Sequence, residues 1–348
     1  MSGTELHLQN PRRLVEELEK QRLSPHAAKS FSAQRKVEEE PCPFRTAFQR
    51  DRDRILHTKA FRRLAYKTQV FINPAGDHYR NRLTHTLEVS QIARTLANTL
   101  NLNEDLTEAI ALGHDLGHTP FGHSGERVLA RLNPEGFTHQ AQSLRIVDIL
   151  AKEGGLNLTE EVRDGIIKHS KGRGPIFARD ERDPATLEGQ LVRASDIIAY
   201  LAHDLDDALR AGLLAPDDVP RHLAEAFGPS GSTRIGAMVG DLLTNSLEAD
   251  GNLILAFSAA MERNMNELRD FLHLRVYQHP HLTESLDKAD RIIEALWDKF
   301  TTDPESLWLL TGPKPYSPQR AACDFIAGMT DRYALSLYQD LFWPPNWR

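Results

Sequence analysis

An all-α fold is predicted by three features of the chain: apolar residues at helical spacing in several long segments, a scarcity of alternating patterns, and Gly- and Pro-bearing breaks between those segments. Leu83, Leu87, Ile92, Leu96 and Leu100 lie along one amphipathic helix, and Leu187, Leu191, Ile198, Leu201, Leu205 and Leu209 along another. The segment from Arg13 to Gln21 reads as a shorter helix within an otherwise polar N-terminal region, expected to be a loosely attached arm over residues 1–40. A helical core is expected over residues 41–227 and a C-terminal helical subdomain over 228–348, divided near the Gly228–Gly236 stretch. Only Gln69 to Ile72, followed by Asn73, Pro74 and Gly76, suggests a short extended piece or turn. Ser170 to Thr186, rich in Gly, Pro and charge, reads as a long loop, and long loops in compact domains are often functional.

The 348 residues are 40% hydrophobic, enough to bury a core without covalent staples. Cys42 and Cys323 lie far apart with no CxxC spacing, which argues against disulfides and thiolate zinc and fits a reducing cytosol. The first residues lack the apolar run of a signal peptide, and the longest apolar-leaning run, near Leu253 to Met261, is too short to span a bilayer. A net charge of -7 argues against a dedicated nucleic-acid binder. A small polyanion remains compatible, given a metal ion and local basic clusters. Two such clusters are Arg50, Arg52, Arg54, Lys59, Arg62, Arg63 and Lys67, and Lys168, Lys171, Arg173 and Arg179; each reads equally well as a solvated face.

Chemistry concentrates in ALGHDLGHTPFGHSGE, Ala111 to Glu126, where three histidines and two acids fall on a helix end and its turn. His114 and Asp115 are consecutive, so on a helix they point about 100° apart. An ion joining them must sit near the helix terminus, where Gly113 and Gly117 permit close approach of neighbouring backbone. Further ligands must come from other helices. His85 in RLTHTLEV and Asp196 in RASDIIAYLAHD are polar residues embedded in apolar periodicity. Taken alone, each is more often a hydrogen-bonded or ion-paired structural residue; a metal ion is another way to satisfy a buried carboxylate.

The segments QRDRDRILHTKAFRRLAYKTQVF, RNRLTHTLEVSQIAR, GHDLGHTPFGHSGE, FTHQAQS and RASDIIAYLAHDLDDA, spread over Pro41 to Gly212, with CDFIAGMTDRYAL near the C-terminus, resemble the deoxyguanosinetriphosphate triphosphohydrolase (dGTPase/dNTPase) family of the HD phosphohydrolase superfamily. The resemblance implies an HD-domain helical bundle with a C-terminal helical extension. It implies that His85, His114, Asp115 and Asp196 ligate a divalent cation, with Mn²⁺ or Mg²⁺ favoured and Fe²⁺ or Zn²⁺ compatible with an imidazole and carboxylate set. It implies hydrolysis of a dNTP to deoxynucleoside and inorganic triphosphate, with His123 and Glu126 as the catalytic pair.

Substrate contacts implied in the same way are Arg82, His118 and His139 at the phosphates, Tyr200 and Asp204 around the sugar, Gln69 at the 3′ hydroxyl, and Lys168 and Lys171 as further phosphate ligands. His118 also reads as the flank of a helix cap made by Thr119 and Pro120. Asp196, Tyr200 and Asp204 recur at i, i+4 and i+8 and share one helix face. A dNTP effector, a homo-oligomer (tetramer or hexamer) and a cytoplasmic location are further expectations of the family. The chain departs from its SAM- and HD-domain relatives in lacking a SAM domain and in carrying Ala65 where they have a basic effector contact. The competing readings are an HD phosphodiesterase or nucleotidase on another nucleotide, and a non-catalytic nucleotide or single-strand DNA binder.

Overall fold

Amphipathic periodicity is realised as sixteen α-helices with a single two-stranded hairpin among the described residues. The structure is a computed structural model and describes residues 10–71, 79–170, 172, 174–249 and 251–344. The predicted turn over Asn73, Pro74 and Gly76, together with Ile72, Lys171 and Arg173, lies outside the described residues. The all-α reading holds: α4 (Arg82–Thr99) and α9 (Leu187–Arg210) are the two long helices that the apolar spacing predicted.

The N-terminal region departs from expectation. Its helix α1 (Pro11–Arg22) starts on Asn10, whose side chain accepts from Arg13 N, with Pro11 at the first turn. The rest is stitched to the body. Buried Glu19 accepts from Ser30 N at 2.8 Å and from Asn103 Nδ2 at 3.2 Å. Ala28 N donates to Glu188 at 3.0 Å, and the Arg35 guanidinium reaches both Asp51 and the Asn157 carbonyl. Partners far along the chain supply these ties, so local polarity alone reads as a loose arm.

The core follows as α2 (Ala47–Leu56), α3 (Lys59–Arg63), α4, α5 (Glu104–Gly113), α6 (His123–Leu132), α7 (His139–Arg145), α8 (Glu160–Lys168) and α9. Helices α4, α5 and α9 pack on one another, with α2 against α5, and with α8 against both α5 and α9. The two predicted close approaches are real: a Cβ on Gly113 would meet Ile166 at 2.6 Å, and one on Gly117 would meet Ser143 N at 2.2 Å.

The C-terminal part comprises α10 (Arg221–Phe227), α11 (Gly231–Asn245), the antiparallel pair β1 (Leu247–Ala249) and β2 (Asn252–Ile254), α12 (Ala259–Leu272), α13 (Pro280–Thr302), α14 (Pro304–Thr311), α15 (Pro318–Ala327) and α16 (Asp331–Phe342). The expected break at Gly228–Gly236 is short: Gly228, at φ +82°, ends α10, and Ser230 already caps α11. Buried apolar residues form two clusters, one running from Ala27 to Val276, the other uniting Phe121, Val128, Leu129 and Phe137 with Ala289 to Leu337. Helix α5 belongs to the first and α6 to the second, so the turn between them passes from one core to the other.

Candidate metal and phosphate site

That turn carries the histidine-rich segment and is pinned from both sides. Lys67 Nζ, buried, donates to the carbonyls of His118 and Ala327, and burial pushes its pKa down to about 7. Asp331, at the start of α16, accepts from Thr68 N and Phe121 N, each at 2.9 Å. Phe121 and Gly122 both take φ +61°, a conformation unusual for Phe. Here the expected cap is corrected: Gly122, not Thr119, precedes the first residue of α6, and the Thr119 hydroxyl donates to the Gly122 carbonyl at 2.7 Å. The left-handed pair delays the helix start to His123.

His85, from α4, and Asp196, from α9, meet with Nε2 and Oδ1 3.0 Å apart. His114 and Asp115 follow α5 directly, with His114 Nε2 3.4 Å from Asp115 Oδ1 and His85 Nε2 3.8 Å from Asp115 Oδ2. All four expected ligand residues are thus brought together from three helices. His114 Nδ1 lies 2.6 Å from the Ala111 carbonyl, which can only accept, so Nδ1 carries the proton. Its Nε2 lone pair is buried without a partner. Such an orientation, with one ring nitrogen tied back and the other presented, is what a metal-ligating histidine requires. Burial pushes both carboxyls up, but their neighbours more than offset it: His114, His118 and Arg82 hold Asp115 well below the ordinary range, and His85 and His114 bring Asp196 to about 2. Two ionised carboxylates and two imidazoles, with no thiolate near, fit a divalent cation.

Around this cluster, Arg82 is buried and donates through Nη1 to Asp115 Oδ2 at 2.8 Å, while its Nε and Nη2 find no partner. His118 Nε2 lies 3.1 Å from Asp115 Oδ1, and its ring stacks on His139 with centroids 4.0 Å apart. His123 is exposed, and its Nδ1 lies 3.2 Å from Glu126 Oε2. Glu126 also takes the backbone N–H of His139 at 2.8 Å and faces its Nδ1 at 2.9 Å. Burial raises the Glu126 carboxyl, but the bonds from His123 and His139 outweigh it and hold the group ionised far below the usual carboxylate range. His123 and Glu126 thereby form a base-and-orienter pair at the mouth of the cluster.

On α9, Asp204 faces His203 Nδ1 at 2.8 Å and accepts from the Tyr277 hydroxyl. His203 Nε2 in turn lies 2.8 Å from His85 Nδ1. Tyr200, one turn from Asp204, has its hydroxyl pKa raised by burial and by Asp196. Gln69 leaves a buried Oε1 without a partner. Lys168 Nζ pairs with Asp164 one turn earlier on α8 at 2.8 Å. Its neighbour His169 enters the cluster instead, buried, with Nε2 3.2 Å from His139 Nε2. The basic run on α2 and α3 is largely consumed by the fold, Arg50 and Arg54 holding Glu39 and Arg52 holding Asp105 and Glu108. The sequence reading missed His169, His203 and Tyr277.

Comparison with known proteins identifies the family. Residues 82–201 match the HD domain and residues 255–340 the phosphohydrolase-associated domain. A deoxyguanosinetriphosphate triphosphohydrolase-like protein of Desulfatibacillum aliphaticivorans is 52% identical over 333 residues, covering 92% of this chain and 95% of that one. The chain belongs to the deoxyguanosinetriphosphate triphosphohydrolase-like family. A member from Caldanaerobacter subterraneus is 51% identical over 345 residues, 97% of each chain, and one from Clostridium tetani 42% identical over 344 residues, 96% of each. Family membership makes the protein a hydrolase of the HD phosphohydrolase class and points to a nucleotide substrate. No helix among the described residues is long and apolar enough to cross a membrane.

Proposed function

We propose that this family member hydrolyses a deoxynucleoside triphosphate to the deoxynucleoside and inorganic triphosphate, using a divalent cation held by His85, His114, Asp115 and Asp196. The observation that carries the reading is a set of buried atoms without hydrogen-bond partners, His114 Nε2 with Arg82 Nε and Nη2, on residues that flank the ionised Asp115. Buried polar groups in native proteins are almost always satisfied, so atoms left over beside an ionised His and Asp cluster support ligand contacts there. Mn²⁺ and Mg²⁺ are the favoured ions; when bound, the ion supplies polarisation of an α-phosphate oxygen and acidification of water.

The chain's own residues do the rest. The free N–H groups of Arg82 receive a phosphoryl oxygen and neutralise charge as it develops. His123, engaged by Glu126 at Nδ1, keeps Nε2 free to handle the proton exchanged between the attacking water and the departing 5′ oxygen. Asp204, Tyr200 and Gln69 border the sugar, where Gln69 Oε1 is available to the 3′ hydroxyl and a substrate lacking that group would leave it unpaired.

The test is product analysis. Purified protein is incubated with each dNTP and Mn²⁺, and phosphorus species are resolved by NMR. Triphosphate plus nucleoside is expected; pyrophosphate plus monophosphate would sink the assigned bond cleavage and favour another HD phosphohydrolase activity. Salt-sensitive single-strand binding with no turnover of any dNTP would favour a binding protein instead.

A further inference from the structure

Three segments far apart in the chain meet beside the site: residues 67–68, the turn 118–121, and the link 327–331 between α15 and α16. One cation and one anion lace them together. Lys67 Nζ donates to the carbonyls of His118 and Ala327. Asp331 accepts from Phe121 N through Oδ1 and from Thr68 N through Oδ2, each at 2.9 Å, and the Thr68 hydroxyl donates to Oδ2 as well. Arg63 Nη1 adds a further tie, to the Gly328 carbonyl at 2.9 Å. Neither Lys67 nor Asp331 is among the groups assigned to the cation, the phosphates or the sugar.

The two amides that Asp331 holds stand next to residues with chemical roles. Phe121 lies two positions before His123, and Thr68 one before Gln69. Phe121 takes φ +61°, which a residue with a Cβ adopts only where its surroundings enforce it. Its ring is fixed in the second core among residues of α13, α15 and α16, and its N–H is fixed by Asp331. Gly122 then turns close against the site: a Cβ there would stand 3.3 Å from Arg82 Nη2 and 3.4 Å from the Thr68 carbonyl. His123 follows as the exposed first residue of α6, so its placement is inherited from the backbone of this turn. Gln69 Oε1 has no hydrogen-bond partner, and its reach is likewise set by the backbone that Thr68 anchors.

We propose that Asp331 is a positioning residue for the hydrolysis proposed above, setting His123 through Phe121 and Gln69 through Thr68. The inference rests on that functional reading and gives the phosphohydrolase-associated segment 255–340 a part in it, since that segment supplies the carboxylate. One side chain thereby couples proton handling at one end of the site to recognition of the 3′ hydroxyl at the other. The chemistry of the side chain matters as well as its size. A carboxylate offers two accepting oxygens to two N–H donors, whereas an amide in its place offers one and turns an NH₂ toward the other donor.

The experiment compares a dNTP with the matching 2′,3′-dideoxynucleoside triphosphate in wild type and Asp331→Asn, by steady-state kinetics with Mn²⁺. In the variant, kcat for the dNTP is expected to fall about 10²-fold, the scale of a misplaced catalytic group. The kcat/KM preference for the dNTP over its dideoxy analogue is expected to fall by at least about tenfold, with metal per chain unchanged. A carboxylate that merely held the fold would, when lost, lower the folded fraction, which scales both substrates alike and leaves KM and the preference untouched; that outcome overturns the proposal. Should Asp331→Asn fail to fold, Thr68→Val decides, because it removes only the hydroxyl bonded to Asp331 and keeps a similar shape at a buried position. A preference reduced several-fold is expected there, and an unchanged one overturns the proposal. A wild type that turns over both substrates alike, or neither, defeats the functional reading and the positioning role with it. A discriminating wild type beside an equally discriminating Asp331→Asn defeats the positioning role alone.

Discussion

Asp51 in the N-terminal clamp and His114 in the metal site are equally inaccessible, yet they are treated in opposite ways. The two oxygens of Asp51 accept from Arg35 at 2.5 Å and from Thr159 N at 2.7 Å, while Glu19 nearby is held by Ser30 and Asn103. His114 Nε2, Arg82 Nε and Nη2, and His118 Nδ1 have no hydrogen-bond partner. Buried polar groups closed on one another build structure; buried polar groups left unpaired around an ionised cluster suit a ligand. The difference separates two kinds of histidine and arginine that look alike in the sequence, and it predicts which substitutions harm chemistry and which harm stability.

The largest effect falls on the open region. Asp115→Ala removes the carboxylate that faces His85, His114, His118 and His169, and turnover is expected to fall by more than about 10³-fold, with bound metal lost in step. Elemental analysis beside a triphosphate-release assay checks this; full activity in a variant verified to lack metal would rule the metal reading out. Next comes His123→Ala, expected to lower kcat by about 10²- to 10⁴-fold while leaving metal content and thermal stability at wild-type values. The exposed ring packs against no core, so a large loss of melting temperature would show that His123 is structural and misplaced as a proton carrier.

The contrast also explains what could be read in advance. Helices α4 and α9 were legible because an apolar stripe is a local property, and His85 and Asp196 were legible as polar interruptions of those stripes, whereas Tyr200 and Asp204 came from the family resemblance and share a face with Asp196 at i+4 and i+8. The pair His114 and Asp115 stood out by adjacency. His169 did carry a signal: with Val162, Gly165 and Ile166 it completes the buried face of α8 at i, i+3, i+4 and i+7. The basic residues around it and the loop that follows drew attention to charge in place of spacing. Tyr277 carried none, because its partner Asp204 lies about seventy positions away; Asp331 fell within the CDFIAGMTDRYAL resemblance, but its partners Thr68 and Phe121, more than two hundred positions away, hid its role. The clamp was illegible for the same reason: Glu19 and Arg35 look like solvated charges until Asn103, Asp51 and Asn157 arrive from elsewhere in the fold.

Breaking the closed region should cost stability instead of chemistry. Arg35→Ala removes the cation paired with the fully buried Asp51 carboxylate, leaving it Thr159 N, and takes one donor from each of the Asn157 and Ala47 carbonyls. Loss of one partner of a buried pair destabilises by about 3–5 kcal/mol. Denaturant midpoints should fall accordingly, with metal per folded chain unchanged. A variant with wild-type stability and depleted metal would reverse the assignment of the two regions.

The sharpest test uses a flaw in the clamp. Glu188 accepts from Ala28 N at 3.0 Å and Asn103 N at 2.9 Å through Oε1, while Oε2 is buried without a partner. Burial raises its pKa from 4.5 to about 7, against the opposing pull of those two N–H groups and of Lys29. A raised pKa means the folded chain holds a proton that the unfolded chain has released, so the stabilising contribution is complete below about 4.5 and is lost as pH rises to about 7. The swing amounts to at most about 3 kcal/mol at 1.36 kcal/mol per pKa unit. Glu188→Gln keeps an acceptor for both N–H groups and cannot ionise. Its unpartnered amide adds a constant penalty, so the informative quantity is the change in the stability difference between variant and wild type. That difference should move in the variant's favour by about 2–3 kcal/mol between pH 4.5 and pH 8 in urea titrations. A difference that stays flat with pH would mean that Glu188 is ionised and solvated, and that the clamp is as open as the site it was contrasted with.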